Sequence, residues 1–343
     1  GDQNQNRVPF LKESFAVGHA VTGPYLWCGA ADVFSETGDK QILEAMRRIW
    51  DDVVQRKMYV TGGIGAYHHG VSVRYDLVHE AFGRPYELPQ RTAYNETCAN
   101  ISNAMWNRRL MLITGDSAYG DVMERVLYNS ALSPMSLDGK TFCYCNPLRR
   151  IKDVELLNHD TPRRLTRMNC YCCPPSVART IAKSAWWAYG VSRNAVWVNL
   201  YGTGELKTKL PSGQDIVLRQ KSVYPWDGKI TLTITGGANK AMSVKLRIPG
   251  WAESASIAVN NVPVKVERVP GSYATITRDW ADADELTLDL PMARVLIQSD
   301  PRVEETWGEA AVMRGPIVYC AESVDLPEGV SLWDVRLGKD SFW

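Results

Sequence analysis

Apolar residues recur at three- and four-residue spacings through most of the first half of the chain. After about residue 195 they alternate. Residues 11–36 carry Phe15, Val17, Ala20, Val21, Tyr25, Leu26, Cys28, Ala31, Val33 and Phe34 at helical spacings, with Gly23-Pro24 as an interruption. Residues 39–57 repeat the period through Ile42, Ala45, Ile49, Val53 and Val54, with Asp39 in the first turn. Two more helices are predicted over 95–113 and 117–132, around a Thr114-Gly115-Asp116 break. A fifth runs from Pro174 to about Tyr189, with prolines where a first helical turn tolerates them. Between the second and third helices lies a long Gly- and aromatic-rich loop, 61–94, of the kind that is usually functional. Beyond residue 195, Val196–Leu200, Ile230–Ile234, Val244–Ile248, Ile257–Val259 and Leu286–Leu290 read as short strands between turn residues. Ala311–Met313 and Ile317–Tyr319 do the same. The expected fold class is α+β and multidomain: a helical part over 1–192, a β-sandwich or jelly-roll-like part over 193–300, and further strands over 301–343.

Composition narrows the function classes. The 343 residues are 45% apolar, enough to bury a core, and 22% charged. Lys and Arg total 39 against 38 Asp and Glu, so neither nucleic acid nor an anionic membrane is an expected partner. No apolar run is long enough for a transmembrane helix. Twelve Trp and 15 Tyr hint at a carbohydrate site, although tryptophans also fill cores. The start at Gly1, without a signal-peptide pattern, and the abrupt end at Trp343 read as cut points of a longer chain.

Five of the eight cysteines fall between positions 143 and 173. The vicinal pair Cys172-Cys173 cannot bridge itself without strain, and a chain this long needs no staples. A thiolate or metal centre is therefore expected rather than a disulfide framework. His68, His69 and His79 could ligate a metal, against the reading of a polar loop rich in His. A stronger zinc set is Glu96, Cys98, Cys172 and Cys173, each pair at a predicted helix start. There the free N–H groups and the helix dipole favour thiolates. Glu96 and Cys98 converge only if one lies outside the helix, since i and i+2 do not share a face. The alternative is a set of inert buried cysteines.

Glycoside hydrolysis needs a proton donor and a nucleophile flanking the bond. Glu80 sits beside aromatics in the long loop, where apolar surroundings would raise its pKa. Glu87 is a further candidate, and Glu124 reads as an ordinary helix salt-bridge residue. Gly62-Gly63-Ile64-Gly65 reads as a turn, because no Gly-Lys-Ser/Thr follows it. Cys143-Tyr144-Cys145 lacks a zinc-knuckle spacer, and no Gly-x-Ser-x-Gly elbow exists.

Nearly the whole chain resembles, in order, the bacterial beta-L-arabinofuranosidases of glycoside hydrolase family 127. The matching runs include Gly18–Val21, Tyr59–Gly65, Glu80–Gly83, Tyr86–Pro89, Tyr94–Ala99, Asp138-Gly139, Tyr144–Leu148, Cys170–Pro174 and Val312–Tyr319. The Glu-Thr-Cys and Cys-Cys-Pro motifs are the most specific. The resemblance implies a retaining exo-glycosidase with zinc held by Glu96, Cys98, Cys172 and Cys173. It places the nucleophile on Cys172, the acid/base on Glu80, and sugar contacts on His19, Thr97 and Tyr144. It also implies a catalytic (α/α)6 barrel, of which the helices read here form only the C-terminal half, so apolar faces should be exposed. The segment Val71–His79 reads as longer than in the family's arabinofuranosidases and, lying beside Glu80, as a determinant of substrate preference.

The leading expectation is a zinc-dependent cysteine glycosidase acting on a terminal beta-L-arabinofuranoside or a related plant-glycan sugar. The competing ones are a family member that cleaves another sugar, such as aceric acid, and a non-catalytic, zinc-stabilised fragment or carbohydrate-binding remnant. Intact Glu80 and Cys172 favour an enzyme. The expected partner is an oligosaccharide or glycan, with a homodimer left open; the compartment is either bacterial cytoplasm or periplasm.

Overall fold

The computed structural model describes residues 2–71, 77–150, 163–168, 170–236 and 241–338. Most of the Val71–His79 segment and both chain ends, on which expectations were placed above, lie outside the described residues. Five helices form the first part: α1 (Thr22–Thr37), α2 (Lys40–Arg56), α3 (Thr97–Thr114), α4 (Ser117–Tyr128) and α5 (Cys173–Trp187). The Asp39 side chain caps α2 by accepting from the Gln41 N–H at 2.9 Å, and Asp116 caps α4 in the same way. Helix α3 is buried on nearly every side because α1, α4 and α5 all pack on it. Trp27 of α1 and Trp106 of α3 meet at 4.6 Å between ring centres in that core. Trp27, Trp106 and Trp280 are the largest fully buried side chains, so these tryptophans fill cores rather than line a carbohydrate site.

Two sequence expectations are corrected here. Residues 11–21 are not helical apart from a short turn at Phe10–Lys12, and Gly23-Pro24 is the first turn of α1 rather than an interruption. The 61–94 segment is not all loop: β1 (Tyr67–Val71) and β2 (Leu77–Ala81) form an antiparallel hairpin.

The second part contains β3 (Tyr189–Ser192), β4 (Ala195–Val198), β5 (Gly204–Lys209), β6 (Asp215–Ser222), β7 (Lys229–Gly236) and β8 (Met242–Ile248). It continues through β9 (Ser256–Val259), β10 (Val262–Pro263), β11 (Ser272–Arg278) and β12 (Asp284–Asp289). A six-stranded sheet, β10-β9-β12-β7-β6-β5, faces a four-stranded one, β11-β8-β4-β3. Their alternating residues share one core: Leu218, Leu232 and Leu286 from one sheet, Val196, Val244 and Leu246 from the other. A separate sheet joins β13 (Arg294–Ile297), β14 (Ala311–Arg314) and β15 (Ile317–Tyr319).

The architecture is thus α+β, and the described helices close no barrel. Apolar side chains remain open on α1 (Tyr25, Leu26, Val33) and on α5, where Trp186 is 76% exposed. Among the described residues no helix is long and apolar enough to cross a membrane.

Arg247 of β8 ties the helical part to the sandwich. It is fully buried and pairs with Asp121 and, at 2.6 Å, with Glu124 of α4. Tyr224 also donates to Glu124 at 2.7 Å. Glu124 is therefore not an ordinary helix pair but half of a buried bridge between two parts of the fold. Arg247→Met leaves Glu124 buried and unpaired. Its unfolding free energy should fall by about 3–5 kcal/mol, read as a lower urea midpoint. Adding Glu124→Leu should recover part of the loss, and an unshifted Arg247→Met midpoint would refute this role.

Candidate metal centre and active site

Two helix starts meet at one point. Glu96 is the N-cap of α3, with an extended ψ of 136°, and Cys98 lies in the first turn. Because Glu96 stands outside the helix, its carboxylate and the Cys98 thiol can converge despite their i, i+2 spacing. Cys172 is the N-cap of α5, and Cys173 its first residue. The Cys98 and Cys173 sulfurs are 3.6 Å apart, as are those of Cys172 and Cys173. Glu96 Oε1 lies 3.3 Å from the Cys172 sulfur and 3.6 Å from that of Cys173.

These four residues form a candidate metal cluster, with ligand atoms all within 4.8 Å of one another. A tetrahedron with zinc–sulfur bonds of about 2.3 Å has edges of about 3.8 Å, close to these spacings. The other Glu96 oxygen, Oε2, is buried with no hydrogen-bond partner. The three-thiol, one-carboxylate donor set and this orphaned oxygen fit a thiophilic divalent cation. All eight cysteines are free. Among the described residues the histidines form no such group.

Burial separates the sulfurs. Cys98 and Cys173 are almost fully buried, whereas Cys172 is exposed. Hydrogen bonding from Cys173, then Cys98, outweighs burial and pulls Cys172 well below the usual thiol range; Tyr144 and Cys170 add to this. The bond to Cys172 raises Cys173. The dominant bond raises Cys98 as well, again through Cys172.

Glu80 stands beside this cluster on β2 with φ of 51°, an uncommon conformation for a non-glycine residue. The strand is held from both sides. Ala20 donates to the Glu80 carbonyl at 2.8 Å, and Phe82, stacked on Trp27, donates to Gly18 at 2.9 Å. Gly18 must be glycine: its φ is +84°, and a Cβ there would lie 2.0 Å from the Asp2 carbonyl oxygen. This fixes His19. Its Nδ1 accepts from the Val21 N–H at 3.1 Å, leaving Nε2 to donate to Glu80 Oε2 at 2.9 Å. The Tyr144 hydroxyl donates to Glu80 Oε1 at 3.0 Å and lies 3.6 Å from the Cys172 sulfur. Tyr94 donates to the same Glu80 oxygen at 3.2 Å.

Burial does push the Glu80 pKa up, as expected above. Hydrogen bonds, from His19 first and also from Tyr144, outweigh it and bring Glu80 to about 2. Burial, with the neighbouring Glu80 and Cys172 charges, pushes Glu96 up to about 10.

The fold brings Glu80, Glu96, Cys98, Cys172, Cys173, His19 and Tyr144 together. Thr97 is fully buried and donates to the Tyr144 carbonyl at 3.0 Å. It holds Tyr144 in place. Glu87 closes a turn with Arg84, outside this group. Tyr94, which carried no role in the sequence reading, is part of the site; its place just before the Glu-Thr-Cys motif was the available signal.

The family model described as the beta-L-arabinofuranosidase GH127 catalytic domain matches residues 1–185. The chain belongs to glycoside hydrolase family 127. The GH127 middle-domain model matches 195–292, and the family's C-terminal-domain model matches 295–342. The chain is 34% identical over 340 residues to a non-reducing end beta-L-arabinofuranosidase of Bifidobacterium longum subsp. longum, covering 97% of itself and 50% of that protein. It superposes with a TM-score of 0.94 on a structure titled glycoside hydrolase, at 39% identity, covering 97% of itself and 56% of that chain. A GH127 beta-L-arabinofuranosidase from Geobacillus stearothermophilus T6 matches at a TM-score of 0.88 and 36% identity, with 94% and 50% covered. The chain thus spans about half the length of these GH127 relatives.

The donor set predicts about one thiophilic divalent cation per purified chain, measured by elemental analysis. Cys98→Ser combined with Cys173→Ser should remove it. Full retention in that double variant would exclude this cluster as the metal's site.

Proposed function

We propose that the chain carries the catalytic centre of a retaining, zinc-dependent exo-glycosidase that removes terminal beta-L-arabinofuranosyl units from plant glycans. The observation that carries the reading is the Tyr144 hydroxyl, which touches both Glu80 and the exposed Cys172 sulfur. A proton donor and a nucleophile thus stand on either side of one hydroxyl, the pairing that retention with a cysteine nucleophile needs. The family's arabinofuranosidases support the sugar. A non-catalytic remnant would need neither this facing pair nor a strained Glu80.

In this reading zinc binds Glu96, Cys98, Cys172 and Cys173 and, when bound, keeps Cys172 a thiolate at neutral pH. Glu80 must carry the proton that a general acid gives to the departing oxygen. His19 and Tyr144 orient that carboxyl and lie against the sugar. Cys172 attacks the anomeric carbon, Glu80 protonates the departing oxygen, and a thioglycosyl intermediate forms. Glu80 then takes a proton from water as the water oxygen bonds to the anomeric carbon; the C–S bond breaks, the sugar leaves, and Cys172 is restored as a thiolate.

Residues 1–192 are read as the C-terminal half of an (α/α)6 barrel, supported by the open apolar faces of α1 and α5. The parts 193–300 and 301–343 are read as two further units.

Glu80→Gln is expected to lower turnover of a poorly activated arabinofuranoside by at least a hundredfold while leaving metal content unchanged. Loss of metal in that variant would make Glu80 a ligand and refute the division of roles. An electrophilic arabinofuranose mimic should label one residue. Mass spectrometry of the peptide from Met168 to Arg179 should place the adduct on Cys172. An adduct on a glutamate would return the mechanism to two carboxylates.

A further inference from the structure

The hairpin beside Glu80 carries three histidines that the chemistry above does not use. His69 and His79 are directly paired across β1 and β2, with ring centres 4.3 Å apart, and both are exposed. His68 lies 4.1 Å from His69 and stacks on Tyr94 at 4.9 Å with a 30° tilt. Tyr94 in turn donates to Glu80. Side chains therefore run in unbroken contact from Cys172 through Tyr144, Glu80, Tyr94 and His68 to the exposed pair His69 and His79.

The direction of this run matters. Nucleophile and acid flank the scissile bond, so the leaving group lies on the side of the acid away from the nucleophile. The leaving group therefore starts beside Glu80, and the histidine hairpin is continuous with Glu80 through Tyr94. Among the described residues neither ring nitrogen of His79 has a hydrogen-bond partner, and His69 bonds only to His68. Exposed imidazoles of this kind offer sugar hydroxyls both a donor and an acceptor nitrogen. Their flat rings offer a surface to the C–H face of a sugar.

We infer that His69 and His79, backed by His68 and Tyr94, form a subsite for the leaving-group sugar, so that the preferred substrates are glycans with a further sugar ring beyond the scissile bond. This rests on the glycosidase reading. It makes the hairpin the determinant of which glycan is trimmed, while the cluster at α3 and α5 determines which terminal sugar is removed.

The test compares methyl beta-L-arabinofuranoside with a beta-L-arabinofuranosyl-arabinose disaccharide, in the full chain and in His69→Ala and His79→Ala. Both positions are exposed, so both variants should fold. The ratio of kcat/KM for disaccharide over methyl glycoside should fall about tenfold in each variant, mainly through KM. In the unmodified chain, the ring signals of His69 and His79 should shift in NMR spectra as free arabinose is added. Equal losses on both substrates, or ring signals that stay fixed, would overturn the subsite and leave the glycosidase reading standing. A chain that cleaves neither substrate but whose ring signals still shift would overturn the glycosidase reading and keep the sugar site.

Discussion

A carboxylate and three thiolates packed within a few ångströms of one another would need positive charge. Two helix N-termini supply part of it, since their free N–H groups and dipoles favour anions. That requirement organises the helical part. Helix α3, buried under α1, α4 and α5, brings its first turn to the centre, and α5 packs on it with the Cys172-Cys173 start at the same place. Burial and the neighbouring negative groups hold Glu96 above the usual carboxylate range.

Glu80 is held by an unusual amount of structure for one side chain. Three donors reach its two oxygens, and its strand is paired with residues 18–20 on one edge and with β1 on the other. A left-handed backbone at such a residue persists only when its surroundings over-determine it.

Periodicity alone placed helices α2 to α5 and strands β7, β8 and β12, because their buried faces repeat cleanly, as Ala45, Ile49 and Val53 do in α2. The four cluster residues were readable as well, since helix starts and thiols are local signals. What escaped was non-local. Gly23-Pro24 looks like a break until Pro24 is seen in a first turn. The described hairpin residues group polar and apolar positions in runs, His68-His69 and Leu77-Val78, so no apolar alternation announced it. Strand β5 is largely exposed and polar, with the same effect. The apolar setting of Glu80 was visible, but the hydrogen bonds that outweigh it come from residues far along the chain. Thr97 belonged to the right motif, and only its burial shows that it faces the 143–146 loop.

Arg247 has a consequence for how such proteins diversify. Its guanidinium belongs to the sandwich and its two carboxylates to α4, so neither part satisfies its own buried charge. A sandwich recombined with a foreign helical unit would carry an unpartnered buried cation, and the helical unit a buried glutamate. The two parts are therefore expected to melt in one cooperative transition and to be inherited together, and new specificities to arise by changing loops and hairpins rather than by exchanging whole modules.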